Sequence, residues 1–141
     1  MTLTYLLDTN IISEPLRPTP NPTILAYIER HQAEIAIAAI VWHALWFGCS
    51  RLPASARRTA IEMYLTNVVA PTIPILAYDQ RAAEWHAIER TRLVGIGKTP
   101  PFGDGQIAAT AVVNDLILIT LNQDDFSAFQ GLQTDDWLAS Q

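Results

Sequence analysis

The stretch TYLLDTN, residues 4–10, decides the fold. A strand-length apolar run is stopped by Asp8, and a continuous run of this kind marks a strand buried on both faces. The signature returns in EIAIAA (34–39), TIPIL (72–76) and DLILIT (115–120). Helical patterns fill the gaps. TNIISEPL is a short helix broken by RPTPNP, and TILAYIERH and IVWHALWFGC have helical spacing. SARRTAIEMYLTNVV (55–69) is amphipathic, with Ile61, Tyr64, Leu65 and Val68 on one side. Asp79 is placed to cap a helix that Gly95 or Gly97 ends. DGQIAATAVV (104–113) and DDFSAF add two more helices, and a brief edge strand is expected near Gln133. Buried strands alternating with helices predict an α/β fold, a three-layer α/β/α sandwich around a mostly parallel sheet of four to five strands. No repeat or linker divides residues 1–141, so one domain is expected.

Composition narrows the classes. Half of the 141 residues are apolar and 16% are charged, enough for a substantial core with some surface left for a partner. The single cysteine, Cys49, excludes an internal disulfide and fits a reducing, cytoplasmic setting. No apolar run approaches the ~20 residues that span a bilayer. A net charge of −5 makes the chain a poor nonspecific binder of nucleic acid, so such a substrate would require cations or a basic partner.

In parallel α/β sheets, ligands sit beyond the carboxyl ends of the strands. Asp8 ends the first strand there. Asn122, Asp124 and Asp125 follow the LILIT strand, and Asp104 stands in the first turn of its helix, where the dipole favours an ionised carboxylate. Each has a plainer reading alone: Asp8 as a strand end, Asp104 as a cap, Asn122 and Asp125 as turn residues. Together they are hard oxygen donors suited to Mg²⁺ or Mn²⁺, which activates water for attack on a phosphodiester. No phosphate-binding Gly loop, zinc spacing or nucleophile elbow competes. A phosphoacceptor domain would need paired acids after the first strand, and a haloacid-dehalogenase-type phosphatase would need DxDxT, but position 10 is Asn.

LLDTNIISE, GDGQIAATA and LITLNQDDF, in this order and spacing, resemble the PIN domain, specifically the VapC-type toxins of bacterial type II toxin–antitoxin modules. GLQTDDW resembles the family's closing segment. The resemblance covers Tyr5 to Trp137. It implies a PIN-like fold, a Mg²⁺- or Mn²⁺-dependent endoribonuclease, a homodimer and a cognate VapB-like antitoxin, through which alone operator DNA is contacted. Asp8 and Asp104 match the metal-binding acidic positions. Asn122 and Asp125 match the last polar positions, and Thr9 and Asn10 brace the site beside Asp8.

One position departs from the pattern. Family members read WHEL..G where this chain reads WHALWFG, so Ala44 stands where the site glutamate is expected. His43 is no substitute, because adjacent helix positions point about 100° apart. Two origins account for Ala44: an introduced Glu→Ala exchange that permits expression of a toxic nuclease, or a natural loss. The intact remainder of the site favours the first, and a genomic sequence encoding Ala44 would contradict it. Either way the resemblance implies a weak or inactive nuclease. The alternative is a catalytically dead PIN domain that binds an antitoxin or RNA.

Eight of the nine basic residues are arginine. Arg17 and Arg51 are candidates for RNA phosphate contact, as are Arg57 and Arg58, for which solvated helix faces and ion pairs are an even alternative. Trp42, Trp46 and Phe47 crowd one helix and suit a dimer interface or an antitoxin groove, with core packing the plainer reading for Trp42.

Overall fold

A computed structural model describes residues 2–138 of the chain; Met1 and residues 139–141 lie outside the described residues. Five strands form one sheet: β1 (Tyr5–Leu7), β2 (Ile35–Ala38), β3 (Ile75–Leu76), β4 (Ile117–Ile119) and β5 (Thr134–Asp135), in the order β3-β2-β1-β4-β5. Every pairing is parallel. The helices are α1 (Thr9–Ile12), α2 (Pro22–Arg30), α3 (Ala39–Ser50), α4 (Ala56–Tyr64), α5 (Ala70–Thr72), α6 (Gln80–Gly95), α7 (Phe102–Val113) and α8 (Gln123–Phe126).

Neighbouring residues of a strand point to opposite faces of the sheet. Leu6 and Leu7, Ala36 and Ile37, and Leu118 and Ile119 are all fully buried. Both faces are therefore covered by helices, as the unbroken apolar runs predict. The layered, parallel α/β architecture is the expected PIN-like one.

Two boundaries differ from the sequence pattern. The amphipathic segment after Ser55 does not stop at Val69; a π-helical turn over Leu65–Val69 carries it into α5. The expected strand 72–76 is thereby shortened to Ile75–Leu76. Pro74 has no N–H to give, but its carbonyl accepts from Ile37 N–H at 3.0 Å, which an edge strand tolerates. The second difference is α7, which begins at Phe102 behind Pro101 rather than at Asp104, leaving Asp104 inside the first turn.

Packing of α6 against α7 fixes that turn. Asp79 caps α6 by accepting from Ala82 N–H at 3.0 Å. His86 on α6 is buried, with Nδ1 2.8 Å from Tyr78 Oη, and its ring lies so close to Gly105 that any Cβ there would collide with it. Only glycine lets α7 approach this closely. Further along α6, the buried Glu89 carboxylate accepts from Arg92 Nε at 2.7 Å, Arg92 Nη2 at 2.8 Å and Gln130 N–H at 2.6 Å. Arg92 also donates to Ala128 O at 2.9 Å. This knot ties the segment after α8 to α6.

The Arg92 hydrogen bonds outweigh burial and hold the Glu89 carboxyl below the ordinary glutamate value. A lowered carboxylate contributes stability above its unfolded value and loses it as pH falls through the folded one. Glu89→Gln is expected to cost about 2–3 kcal/mol at pH 7 in denaturant unfolding, the scale of losing charged hydrogen bonds at a buried site. The difference between the two proteins should shrink below about pH 4.

Candidate active site

The register of β1 against β4 builds the site. Leu6 pairs with Leu118 and Leu7 with Ile119, so Asp8 and Thr120 emerge side by side at the carboxyl edge. The backbone N–H of Asp8 still donates to Ile119 O at 2.9 Å. Beyond it, Asp8 caps α1, with Oδ1 accepting from Thr9 N–H at 2.7 Å. Its Oδ2 accepts from the Thr120 hydroxyl at 2.8 Å. Thr120 is fully buried, and its oxygen accepts in turn from Asn122 N–H at 3.0 Å. Gln123 Nε2 donates to Thr120 O at 2.8 Å, and Gln123 Oε1 accepts from the Thr134 hydroxyl at 2.7 Å, which extends the network to β5. Both oxygens of Asp8 are therefore oriented before any ligand arrives.

This edge is also where the sheet reverses its winding. From β1 the chain proceeds to β2 and β3 on one side, then crosses to β4 and β5 on the other. Loops diverge at such a switch point and leave a crevice. A cleft of about 430 Å³ opens there. Asp8, Thr9, Asn10 and Ser13 come from the first loop, Gly103 and Asp104 from α7, Asn122 and Asp125 from the β4–α8 turn, and Ala44 from α3. Asp124 faces a neighbouring groove instead.

Ile40 and Ala44, one helical turn apart on α3, both line this cleft. His43 turns away, and its ring stacks on Phe47 with centroids 6.0 Å apart. Position 44 thus faces the carboxylates with a methyl group. Trp42 and Trp46 meet edge-on, partly buried against the core, whereas Phe47 is exposed.

The electrostatics follow from crowding. Burial, then the charges of Asp125 and Asp8, push the Asp104 carboxyl above the ordinary aspartate value. Asp104 therefore feels both of the other carboxylates across one cleft. Asn10 adds a buried Oδ1 with no hydrogen-bond partner, an orphan acceptor at the same wall. Hard oxygen donors, mutual repulsion and an unsatisfied acceptor are the chemistry a divalent cation relieves. The set is short, however. Among the described residues, no three His, Cys, Asp or Glu side chains converge closely enough to make a metal centre by themselves.

The arginine candidates stand elsewhere. Arg17 Nη1 pairs at 3.3 Å with the buried Glu14, and the Arg51 guanidinium lies 4.8 Å over the Phe47 ring. Arg58 pairs with Glu62 at 3.0 Å. None of them lines the cleft. The sequence motifs single out neither Thr120 nor Ser13, yet the fold places Ser13 in the cleft and Thr120 on Asp8. Thr120 had a usable signal, since like Asp8 it is a polar residue ending a buried strand.

The PIN domain family pattern matches residues 5–132. Over 126 residues the chain is 33% identical to the VapC ribonuclease Y4jK of Sinorhizobium fredii, covering 87% of this chain and 90% of that protein. It is also 33% identical over 126 residues to toxin FitB of Neisseria gonorrhoeae, covering 87% and 91% respectively. The crystal structure of FitAcB from Neisseria gonorrhoeae superposes with a TM-score of 0.87 at 30% identity, over 96% of this chain and 99% of that one.

A raised carboxyl makes its ionised form a burden: stability is full below the unfolded value and is lost as pH rises through the folded one. Asp104→Asn is therefore expected to melt a few degrees higher than the unaltered chain at pH 7. The gap should narrow in acid, as followed by thermal unfolding across pH. A lower melting point for Asp104→Asn at pH 7 would mean that the cluster is not repulsive.

Proposed function

The chain belongs to the PIN domain family, and on that premise we propose that it is a single-domain endoribonuclease toxin of a type II toxin–antitoxin module, weakened or silenced by Ala44. The observation that carries this reading is that Asp8, Asp104 and Asp125 line one cleft at the β1/β4 switch point, where burial and then the charges of the other two raise the Asp104 carboxyl. Relatives named VapC ribonuclease and toxin FitB, aligned over most of their length, support it.

Asp8 and Asp104 are the residues to hold a Mg²⁺ or Mn²⁺ ion, with Asn122 and Asp125 completing the polar wall. When bound, such an ion supplies an activated water and offsets the charge that builds on the phosphodiester. The chain's own part is positioning. Thr9 N–H and the Thr120 hydroxyl hold Asp8 in one orientation. The Pro101 turn and Gly105 hold α7 so that Asp104 faces it. Asn10 lies beside Asp8 with an acceptor still free to take a donor. A carboxylate at position 44 would close the remaining side, and alanine leaves that side without a charge. The origin of Ala44, introduced or natural, does not change this chemistry.

The second reading, a PIN domain that only binds an antitoxin or RNA, is favoured by Ala44 itself. In either case the partners are a VapB-like antitoxin, RNA and a second copy of the chain, with operator DNA reached through the antitoxin. Exposed Phe47, Met63 and Val68 are apolar surface for protein partners to cover. The setting is the cytoplasm, and among the described residues no helix is long and apolar enough to cross a membrane.

Restoring the carboxylate separates the two readings. Ala44→Glu is expected to cleave single-stranded RNA with Mg²⁺ or Mn²⁺ about a hundredfold or more faster than the unaltered chain, the scale of one electrostatic contact to the transition state. Chelator should abolish the cleavage. Silence of both proteins across a broad RNA pool would support the binding module.

A further inference from the structure

The carboxylates that face the cleft also have a far side. A second groove, again about 430 Å³, shares Asp104 and Asp125 with it and runs on past Asp124 and Ser127 to Lys98. Asp104 and Asp125 are thus a ridge between two hollows. A polymer with one phosphate in the cleft has to leave it, and the groove is an open continuation over that ridge.

Charge singles out one residue along this path. Among the described residues, no arginine lines either hollow, and Lys98 is the only cationic side chain that does. The α6 arginines are engaged elsewhere: Arg81 with Asp79, Arg92 with Glu89, and Arg90 over the Phe102 ring. Lys98 is exposed and, among the described residues, has no ion pair although three aspartates line the same groove.

Its backbone is held firmly. Gly97 adopts φ 78° just past the end of α6, Gly97 N–H donates to Val94 O at 3.1 Å, and Lys98 N–H donates to Leu93 O at 2.8 Å. These two bonds form a Schellman cap, which needs the left-handed residue that glycine supplies. Pro100 and Pro101 then stiffen the short path from Lys98 to the first turn of α7, which carries Asp104. A cation and a site carboxylate are thereby mounted on one rigid connection, facing one groove.

Building on the ribonuclease reading, we propose that the groove between Lys98 and the Asp104–Asp125 ridge is the track for single-stranded RNA beyond the scissile position, with Lys98 contacting a backbone phosphate there. Lys98 is a substrate-positioning residue and takes no part in bond breaking. In a chain of net charge −5 it gives the strand one attractive point on an acidic path.

The test is fluorescence anisotropy of a labelled phosphorothioate single-stranded RNA of mixed sequence, with Mg²⁺ present, titrated over a range of KCl. Lys98→Gln is expected to bind about three- to tenfold more weakly, and to lower the slope of log affinity against log salt by about 0.7, the value for one released counterion on a single strand. Lys98→Arg should retain both affinity and slope. If the unaltered chain binds and Lys98→Gln binds with the same affinity and slope, the track is wrong while the ribonuclease reading stands. If the unaltered chain binds no RNA, both fall. Weaker binding with an unchanged slope would mean that Lys98 only balances neighbouring aspartates, which also overturns the proposal.

Discussion

A single buried hydrogen bond, from the Thr120 hydroxyl to Asp8 Oδ2 at 2.8 Å, joins the two central strands at the point where function begins. It exists because Leu7 is in register with Ile119 and both strands are buried on each face. A slip of one residue would send every apolar side chain to the opposite face and separate Asp8 from Thr120. The register that satisfies the core is therefore the register that orients the first site carboxylate. Everything else arrives around that fixed point: Asn122 through its N–H on Thr120, and Asp104 through the close approach of α7 that Gly105 allows.

The cleft works against the stability of the fold that presents it. Burial and the nearby charges of Asp125 and Asp8 raise the cost of ionising Asp104, and an acceptor on Asn10 is left unpaired. Such groups persist where a ligand is to satisfy them, and they concentrate at functional sites. Stability comes instead from distant knots such as Glu89 with Arg92 and Gln130. Ala44 relieves part of the crowding, since a fourth carboxylate facing the same cleft would add to the repulsion.

Much of this was legible in the residues. Unbroken apolar runs marked β1, β2 and β4, because doubly covered strands lack polar alternation. Polar residues at their ends marked Asp8 and Asn122. The family pattern pointed to position 44 and the 100° helical step turned His43 away from it; Ala44 lines the cleft beside Ile40, and the His43 ring stacks on Phe47. Other features depend on contacts far apart in the chain. The length of β3 was misjudged because a π-helical turn, which leaves no mark on hydrophobic periodicity, carries the preceding helix on to Thr72. Arg17 looked free for phosphate, but the fold buries Glu14 beside it. Nothing in the sequence singles out Lys98 for a role, since the groove it faces forms only when α8 comes to rest near α7.

The central claim is that the carboxyl edge at the β1/β4 switch point is a divalent-cation site completed from position 44. Calorimetric titration with Mn²⁺ of the unaltered chain, Ala44→Glu and Asp8→Asn tests it without relying on any RNA. Weak binding by the unaltered chain, binding about tenfold or more tighter in Ala44→Glu and loss of binding in Asp8→Asn are the predicted results. Equal Mn²⁺ affinity in all three would contradict the claim.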